Sequence, residues 1–212
     1  MSFRRLPGAR PSPRPSTQQE GFTLAELLVV VTLLGLVVAW GTPTMATLWR
    51  RTALRAAAHD LAGLVRRLRH EAVAHERYEA WVFSLLGGRW QMQRIADGNR
   101  NGVRSADMRL GVDRAIGPAV DLAQRWPRVR LSLPEFPLPR IPPSRGVLEP
   151  GSDPVRLSGT DRISCAPNGS CSGGTLYLNA GGREVAAVVV YGITGRVRLW
   201  RYEPETSKWI RY

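Results

Sequence analysis

The 212-residue sequence predicts an α+β fold: a long N-terminal transmembrane/amphipathic helix packed on an antiparallel β-sheet head. Three observations carry that prediction. Residues 22–40 form a nearly unbroken apolar run, residues 44–76 repeat apolar side chains at helical spacing, and beyond Tyr78 the period shortens to two.

Phe22 to Trp40 is 19 residues, ~28 Å as a helix and about the thickness of a bilayer core. Its single ionisable residue is Glu26. A carboxylate in lipid costs several kcal/mol unless it is matched, so Glu26 demands a partner. The transmembrane helix is placed at 22–43, with a break at Gly41-Thr42-Pro43, because proline removes a backbone donor and clashes with the preceding turn. A globular head follows over 44–212, divided into an amphipathic helix at 44–77 and a β-rich part at 78–212. In the helix, Leu54, Ala58, Leu61, Val65, Leu68 and Ala72 make one stripe suited to packing on a sheet, with Arg55, Arg66, Arg67 and Arg69 mostly away from it.

In the β-rich part, Ala80–Leu85 and Arg89–Arg94 flank Gly87-Gly88 and read as a hairpin. Val129, Leu131 and Leu133 alternate with polar neighbours and mark a strand at 128–133. Seven prolines between 134 and 154 exclude a central strand, and the stretch reads as an exposed connection. Four more strands are expected at Thr175–Leu178, Glu184–Tyr191, Arg196–Tyr202 and Lys208–Tyr212.

Thirty basic residues against seventeen acidic ones give a net charge of +13. That surplus favours a polyanionic partner such as nucleic acid, or an anionic membrane surface. Only Lys208 is lysine; all other basic residues are arginine, the better residue for bidentate phosphate contacts. On a strand at 196–202, Arg196, Arg198, Trp200 and Tyr202 share one face, while Val197 and Leu199 share the other. Guanidinium groups beside aromatic rings suit phosphate contact and base stacking. Arg201, Lys208 and Arg211 add charge nearby, and Glu203 and Glu205 subtract some. The same pattern also suits a solvated edge strand.

Asp97, Asn99 and Asn101 followed by Gly102 have the spacing of the start of a calcium loop. Met108 stands at position twelve, where an acid is wanted, and Asp107 lies one residue early; Asp-Gly and Asn-Gly pairs also simply make turns. His59, His70 and His75 all fall on the helix, none at a spacing that pairs with a cysteine, and no metal site or cofactor is expected. With no G-x-S-x-G elbow, H-E-x-x-H helix or nucleotide fingerprint, the sequence reads as non-enzymatic.

Gly21-Phe22-Thr23-Leu24-Ala25-Glu26-Leu27, leading into an apolar helix, resembles the prepilin peptidase site of type IV pilins and of the pseudopilins of type II secretion. The resemblance implies that residues 1–21 are a leader, that prepilin peptidase cuts between Gly21 and Phe22, and that Phe22 becomes the N-methylated first residue. It further implies that Glu26 pairs with the Phe22 amine of a neighbouring pilin subunit in the fibre. Before assembly the chain would be a single-pass inner-membrane protein with its head in the periplasm. Removing the leader takes away four arginines and Glu20, lowering +13 to +10.

Further on, Ser164 to Gly169, Gly173 to Leu178, Val188 to Val190 and Thr194 to Arg198 resemble the domain shared by GspH pseudopilins and FimT minor pilins. Gly195-Arg196-Val197-Arg198 is similar to the G-R-x-R element of the FimT group, which binds DNA in natural transformation. This implies DNA binding at Arg196 and Arg198; with the strand face and nearby charge read above, the expected DNA site comprises Arg196, Arg198, Trp200, Arg201, Tyr202, Lys208 and Arg211. The competing expectations are a GspH-like pseudopilin of a type II secretion system and a structural minor pilin that primes fibre assembly. Because the resemblance places the head outside the cytoplasm, where thiols oxidise, Cys165 and Cys171 are expected to close a small disulfide loop.

Overall fold

The computed structural model describes residues 22–212, with the side chains of 38–44 outside the description. The expected leader, 1–21 with Gly21, lies outside the described residues. In chain order, helix α1 (Leu24–Ala74) precedes a hairpin of β1 (Glu79–Leu86) and β2 (Arg89–Ala96), then α2 (Ser105–Arg109), β3 (Arg114–Ala115), β4 (Val120–Asp121) and α3 (Leu122–Arg125). Four two-residue strands follow: β5 (Arg130–Leu131), β6 (Leu138–Pro139), β7 (Val147–Leu148) and β8 (Val155–Arg156). The chain finishes with β9 (Arg162–Cys165), β10 (Gly174–Asn179), β11 (Val185–Tyr191), β12 (Arg196–Glu203) and β13 (Lys208–Arg211). It divides into two compact units between Thr44 and Met45.

In the first unit α1 starts with a capping box. The Glu26 amide donates to Thr23 Oγ1 at 3.3 Å, and Glu26 Oε2 accepts from the Thr23 amide and hydroxyl, each at 3.2 Å. Glu26 thus has a partner within its own first turn. The side chains from Phe22 to Val37 are exposed. Among the described residues no helix is long and apolar enough to cross a membrane; the side chains of the expected span are described only as far as Val37. Helix α1 is assigned from Leu24 to Ala74, through Gly41-Thr42-Pro43, where the sequence predicts that the proline breaks or kinks it. One proline removes a single hydrogen bond, and the bonds on either side can carry a helix past it.

In the second unit the expected stripe on α1 is buried throughout, joined by Ala57 and Ala62. It packs with Phe83, Met92 and Ile163 of one sheet (order β3-β2-β1-β9, with β4 also on β2). It also packs with Leu176, Leu178, Ala186, Val188 and Leu199 of the other (order β13-β12-β11-β10-β5, with β8 also on β10). The Gly87-Gly88 hairpin turn has φ of 56° and 74°, the left-handed pair a two-residue connection needs. The strand expected at 128–133 shrinks to β5, although Val129, Leu131 and Leu133 are buried as the alternation predicts.

The reading of 134–154 as an exposed connection needs correction. Strands β6 and β7 pair with each other, and Leu138, Ile141 and Leu148 are buried against Tyr177, Val185, Tyr202 and Trp209 on the face of the second sheet away from α1. Prolines bar a long strand without barring the apolar residues between them from a core. Trp209 Nε1 donates to the Pro139 carbonyl at 2.7 Å and fastens this cover.

Helix α1 ends in a Schellman turn: Glu76 has φ 51°, the Arg77 amide reaches the Ala72 carbonyl at 3.2 Å, and the Glu76 amide reaches Val73 at 3.3 Å. The turn delivers Glu79 to a fully buried site, where it accepts from Arg94 Nε at 2.9 Å, His75 Nδ1 at 2.9 Å and Arg77 Nε at 3.2 Å. Arg94 also pairs with Glu71 at 2.8 Å, joining helix to hairpin. Burial pushes the Glu79 carboxyl up, but the bonds from Arg94 and His75 outweigh it and hold the group below its usual value. A depressed carboxyl adds stability above its unfolded value, and that stability is lost as pH falls through the folded one. Glu79→Gln should cost roughly 3 kcal/mol at neutral pH, the low end for a broken buried pair, because Arg94 keeps Glu71. Denaturant unfolding across an acid series checks this: the variant should show a shallower loss of stability below the ordinary glutamate range than the wild-type chain.

Candidate nucleic-acid interface

The turn between β11 and β12 carries the G-R-x-R element, and its geometry depends on Gly195. This residue has φ +60°, and a Cβ on it would stand 2.6 Å from the Gly169 carbonyl oxygen and 2.8 Å from Arg69 Cδ. Gly169 belongs to the loop closed by the Cys165–Cys171 disulfide. Arg69, one turn before the end of the α1 stripe, donates from Nε to the Gly169 carbonyl at 2.8 Å. Helix, disulfide loop and turn therefore meet at one point, immediately before Arg196.

Arg196 is exposed at the start of β12. Arg198 lies two residues on, with its guanidinium carbon 5.1 Å from the Tyr191 ring centroid, a cation–π contact across the strand pair. Its Nε is buried without a protein acceptor, as is Trp200 Nε1. The four residues expected on one face do share it, but the face is divided. Tyr202 is only 5% exposed, between Phe136 and Trp209, and Trp200 packs against the same cluster beneath the proline-rich insert. Their rings are committed to protein contacts, leaving Arg196 and Arg198 at the open end. Lys208 and Arg211 are exposed on edge strand β13.

Arg201 lies on the opposite face, toward α1. There it lines a groove of about 450 Å³ with Arg51, Arg55, Glu184 and Tyr212. Arg51 Nε pairs with Glu184 at 2.8 Å, Arg201 Nη2 with Glu203 at 3.3 Å, and the Arg55 guanidinium sits 5.9 Å from the Tyr212 ring centroid. Burial raises the Tyr212 phenol above its usual value against the pull of Arg201 and Arg55. Arg51, Arg55 and Arg69 were not among the expected site residues. The helical phase places them off the apolar stripe, but only the fold puts them beside residues 195–212.

The acidic loop after β2 directs its carboxylates at its own backbone. Asp97 Oδ1 accepts from the amides of Asn99 (2.9 Å) and Arg100 (2.8 Å), and Oδ2 from Gly102 (2.7 Å). Asp113 accepts from the Gly98 and Arg104 amides, and Asp107 from the Asn101 side chain at 3.0 Å. Among the described residues no cluster of three or more acidic, histidine or cysteine side chains is arranged to hold a metal.

Residues 16–42 match the family model of the prokaryotic N-terminal methylation motif. The match supports a type IV pilin-like protein, consistent with membrane anchoring before assembly and with other pilin subunits and prepilin peptidase as partners. It points to a structural protein. No curated protein and no solved structure matches the chain.

Because Gly195 is held by shape and Arg196 is exposed, the two should respond differently to alanine. Gly195→Ala should destabilise by about 1–3 kcal/mol, from a strained φ and the clash with Gly169. Arg196→Ala should stay within about 0.5 kcal/mol. Chemical denaturation of both variants measures the contrast.

Proposed function

We propose that this chain is a minor type IV pilin whose head binds DNA without sequence preference, for DNA uptake in natural transformation. The observation that supports it best is the group formed by Arg196, Arg198 and Arg69 around the Gly195 turn, on a chain with a net charge of +13. Arg196 and Arg198 have no carboxylate partner among the described residues, so their charge is available to phosphates. With the Trp200 and Tyr202 rings packed under the insert, binding proceeds through phosphate contacts rather than base stacking, which suits duplex DNA as well as single strands. Lys208 and Arg211 extend the cationic surface along β13.

In this reading prepilin peptidase cuts after Gly21, and the Glu26 carboxylate pairs with the Phe22 amine of the next subunit in the fibre. The head carries DNA on its arginines while movement of the fibre draws it inward. A second reading, a GspH-like pseudopilin or a minor pilin that primes assembly, would set Ile193, 95% exposed at the tip of the β11–β12 turn, against another subunit.

Titrating the detergent-solubilised chain with two unrelated DNA sequences across a salt series separates these readings. DNA binding should fall linearly in log affinity with log salt, equally for both sequences, and Arg196→Ala plus Arg198→Ala should reduce the slope by roughly two. Affinity unchanged in the double variant would rule out this site.

A further inference from the structure

We propose a second interaction surface, at the start of the 45–212 unit, that docks on a bilayer carrying anionic headgroups. The proposal rests on the membrane-anchored reading above and goes beyond it. Met45, Leu48 and Trp49, on α1, are 56%, 53% and 58% exposed, large apolar side chains in a part of the helix that the core does not cover. Three guanidinium groups share this end of the unit, one of them against Trp49. Arg128 stands 5.9 Å from the Trp49 ring centroid, and Arg50 reaches the turn between β10 and β11, its Nη1 3.2 Å from where a Cβ on Gly182 would stand. Arg55 follows one turn later, over Tyr212. Arg51 is neutralised by Glu184, but Arg50, Arg55 and Arg128 have no carboxylate partner among the described residues.

Exposed tryptophan and aliphatic side chains together with arginine are the composition of a membrane–water interface. The alternatives satisfy only half of it. Nucleic acid would use the cations and leave Met45, Leu48 and Trp49 in water, and an apolar protein surface would cover those three while stranding the guanidiniums. A lipid surface takes both, with acyl chains against the apolar residues and headgroup phosphates held bidentately by arginine. Chain position agrees, because the apolar residues 22–37 precede this surface in the same helix.

The test uses the full chain in nanodiscs of phosphatidylcholine alone or of an equal mixture with phosphatidylglycerol, each with acyl chains brominated near the glycerol. Subtracting the signal of Trp49→Phe isolates this ring from the other tryptophans. Quenching that depends on Trp49 should be stronger in the mixture. It should return to the phosphatidylcholine level in Arg50→Gln plus Arg55→Gln, a pair that leaves Arg51–Glu184 intact; two interfacial arginines correspond to roughly 25-fold in the contact equilibrium. Equal quenching in the two lipids, no quenching that depends on Trp49, or a double variant that keeps the phosphatidylglycerol effect overturns the proposal, with matching thermal midpoints confirming that the variants fold. Duplex DNA that abolishes the quenching assigns the surface to nucleic acid instead. A chain that enters neither nanodisc overturns the anchored reading and this proposal with it, whereas the outcome of the Arg196 and Arg198 titration leaves both standing.

Discussion

The head depends on the apolar stripe of α1 being shared by two sheets. Leu54, Leu61, Val65 and Leu68 alternate with Ala57, Ala58, Ala62 and Ala72, all essentially without solvent exposure. The leucines and valine supply buried area, and the alanines let both sheets approach the helix closely. Fixing the stripe also fixes the helix's remaining faces. On one flank Asp60 takes both Nε and Nη2 of Arg125, at 2.6 and 2.8 Å, and the indole of Trp126 at 2.9 Å. Those bonds, that from Arg125 first, hold the Asp60 carboxyl below its usual value and tie α3 to the helix. On the other flank Arg69 reaches the disulfide loop and Arg55 reaches Tyr212. The polar attachments of the head follow from the phase of one helical repeat.

A buried carboxylate beside so many arginines shows how the same charge serves two ends. Glu79 is tolerated because three donor groups converge on it, and each arrives from a different stretch of chain: His75 from the end of α1, Arg77 from the turn, Arg94 from across the hairpin. The network gains its rigidity from that convergence, since moving any one element would cost the buried carboxylate one of its donors. A local reading of the sequence cannot find it, because Arg94 comes opposite Glu79 only through the β1–β2 pairing and through the Schellman turn that aims the chain.

Periodicity and turn chemistry were legible at the level of single elements. The α1 stripe, the Gly87-Gly88 hairpin and the four C-terminal strands fall within a residue or two of where their patterns put them. What escaped is information held in pairings between distant segments. Strand β9, four residues long, is recognisable only as the partner of β1. The insert at 134–154 has a proline density that signals a connection, and its apolar content, spaced by no regular period, gave no sign that it would cover a sheet. That cover decides the candidate site, because alternation along β12 correctly grouped Arg196, Arg198, Trp200 and Tyr202 but could not say that two of the four would be roofed over.

Net charge favours anionic partners without locating one, and part of that charge is already engaged within the head. Arg51, Arg77, Arg89, Arg94, Arg125 and Arg201 pair with carboxylates, while Arg69 and Arg162 donate to backbone carbonyls. Each of these guanidiniums already has part of its donor fork occupied, and the paired ones contribute little net field. On β12 the pair that follows Gly195 has no carboxylate partner among the described residues, Arg196 exposed and Arg198 half-buried, after a turn that tolerates no side chain and is braced by Arg69 from behind. The rigid part of the G-R-x-R element is thus its glycine, and of its two arginines Arg196 is exposed while Arg198 lies half-buried over the Tyr191 ring. An arginine on a mobile backbone loses more conformational entropy on meeting a phosphate than one whose backbone is already fixed. Placing the two cations directly after the Gly195 turn lowers that cost while leaving them without a carboxylate partner among the described residues.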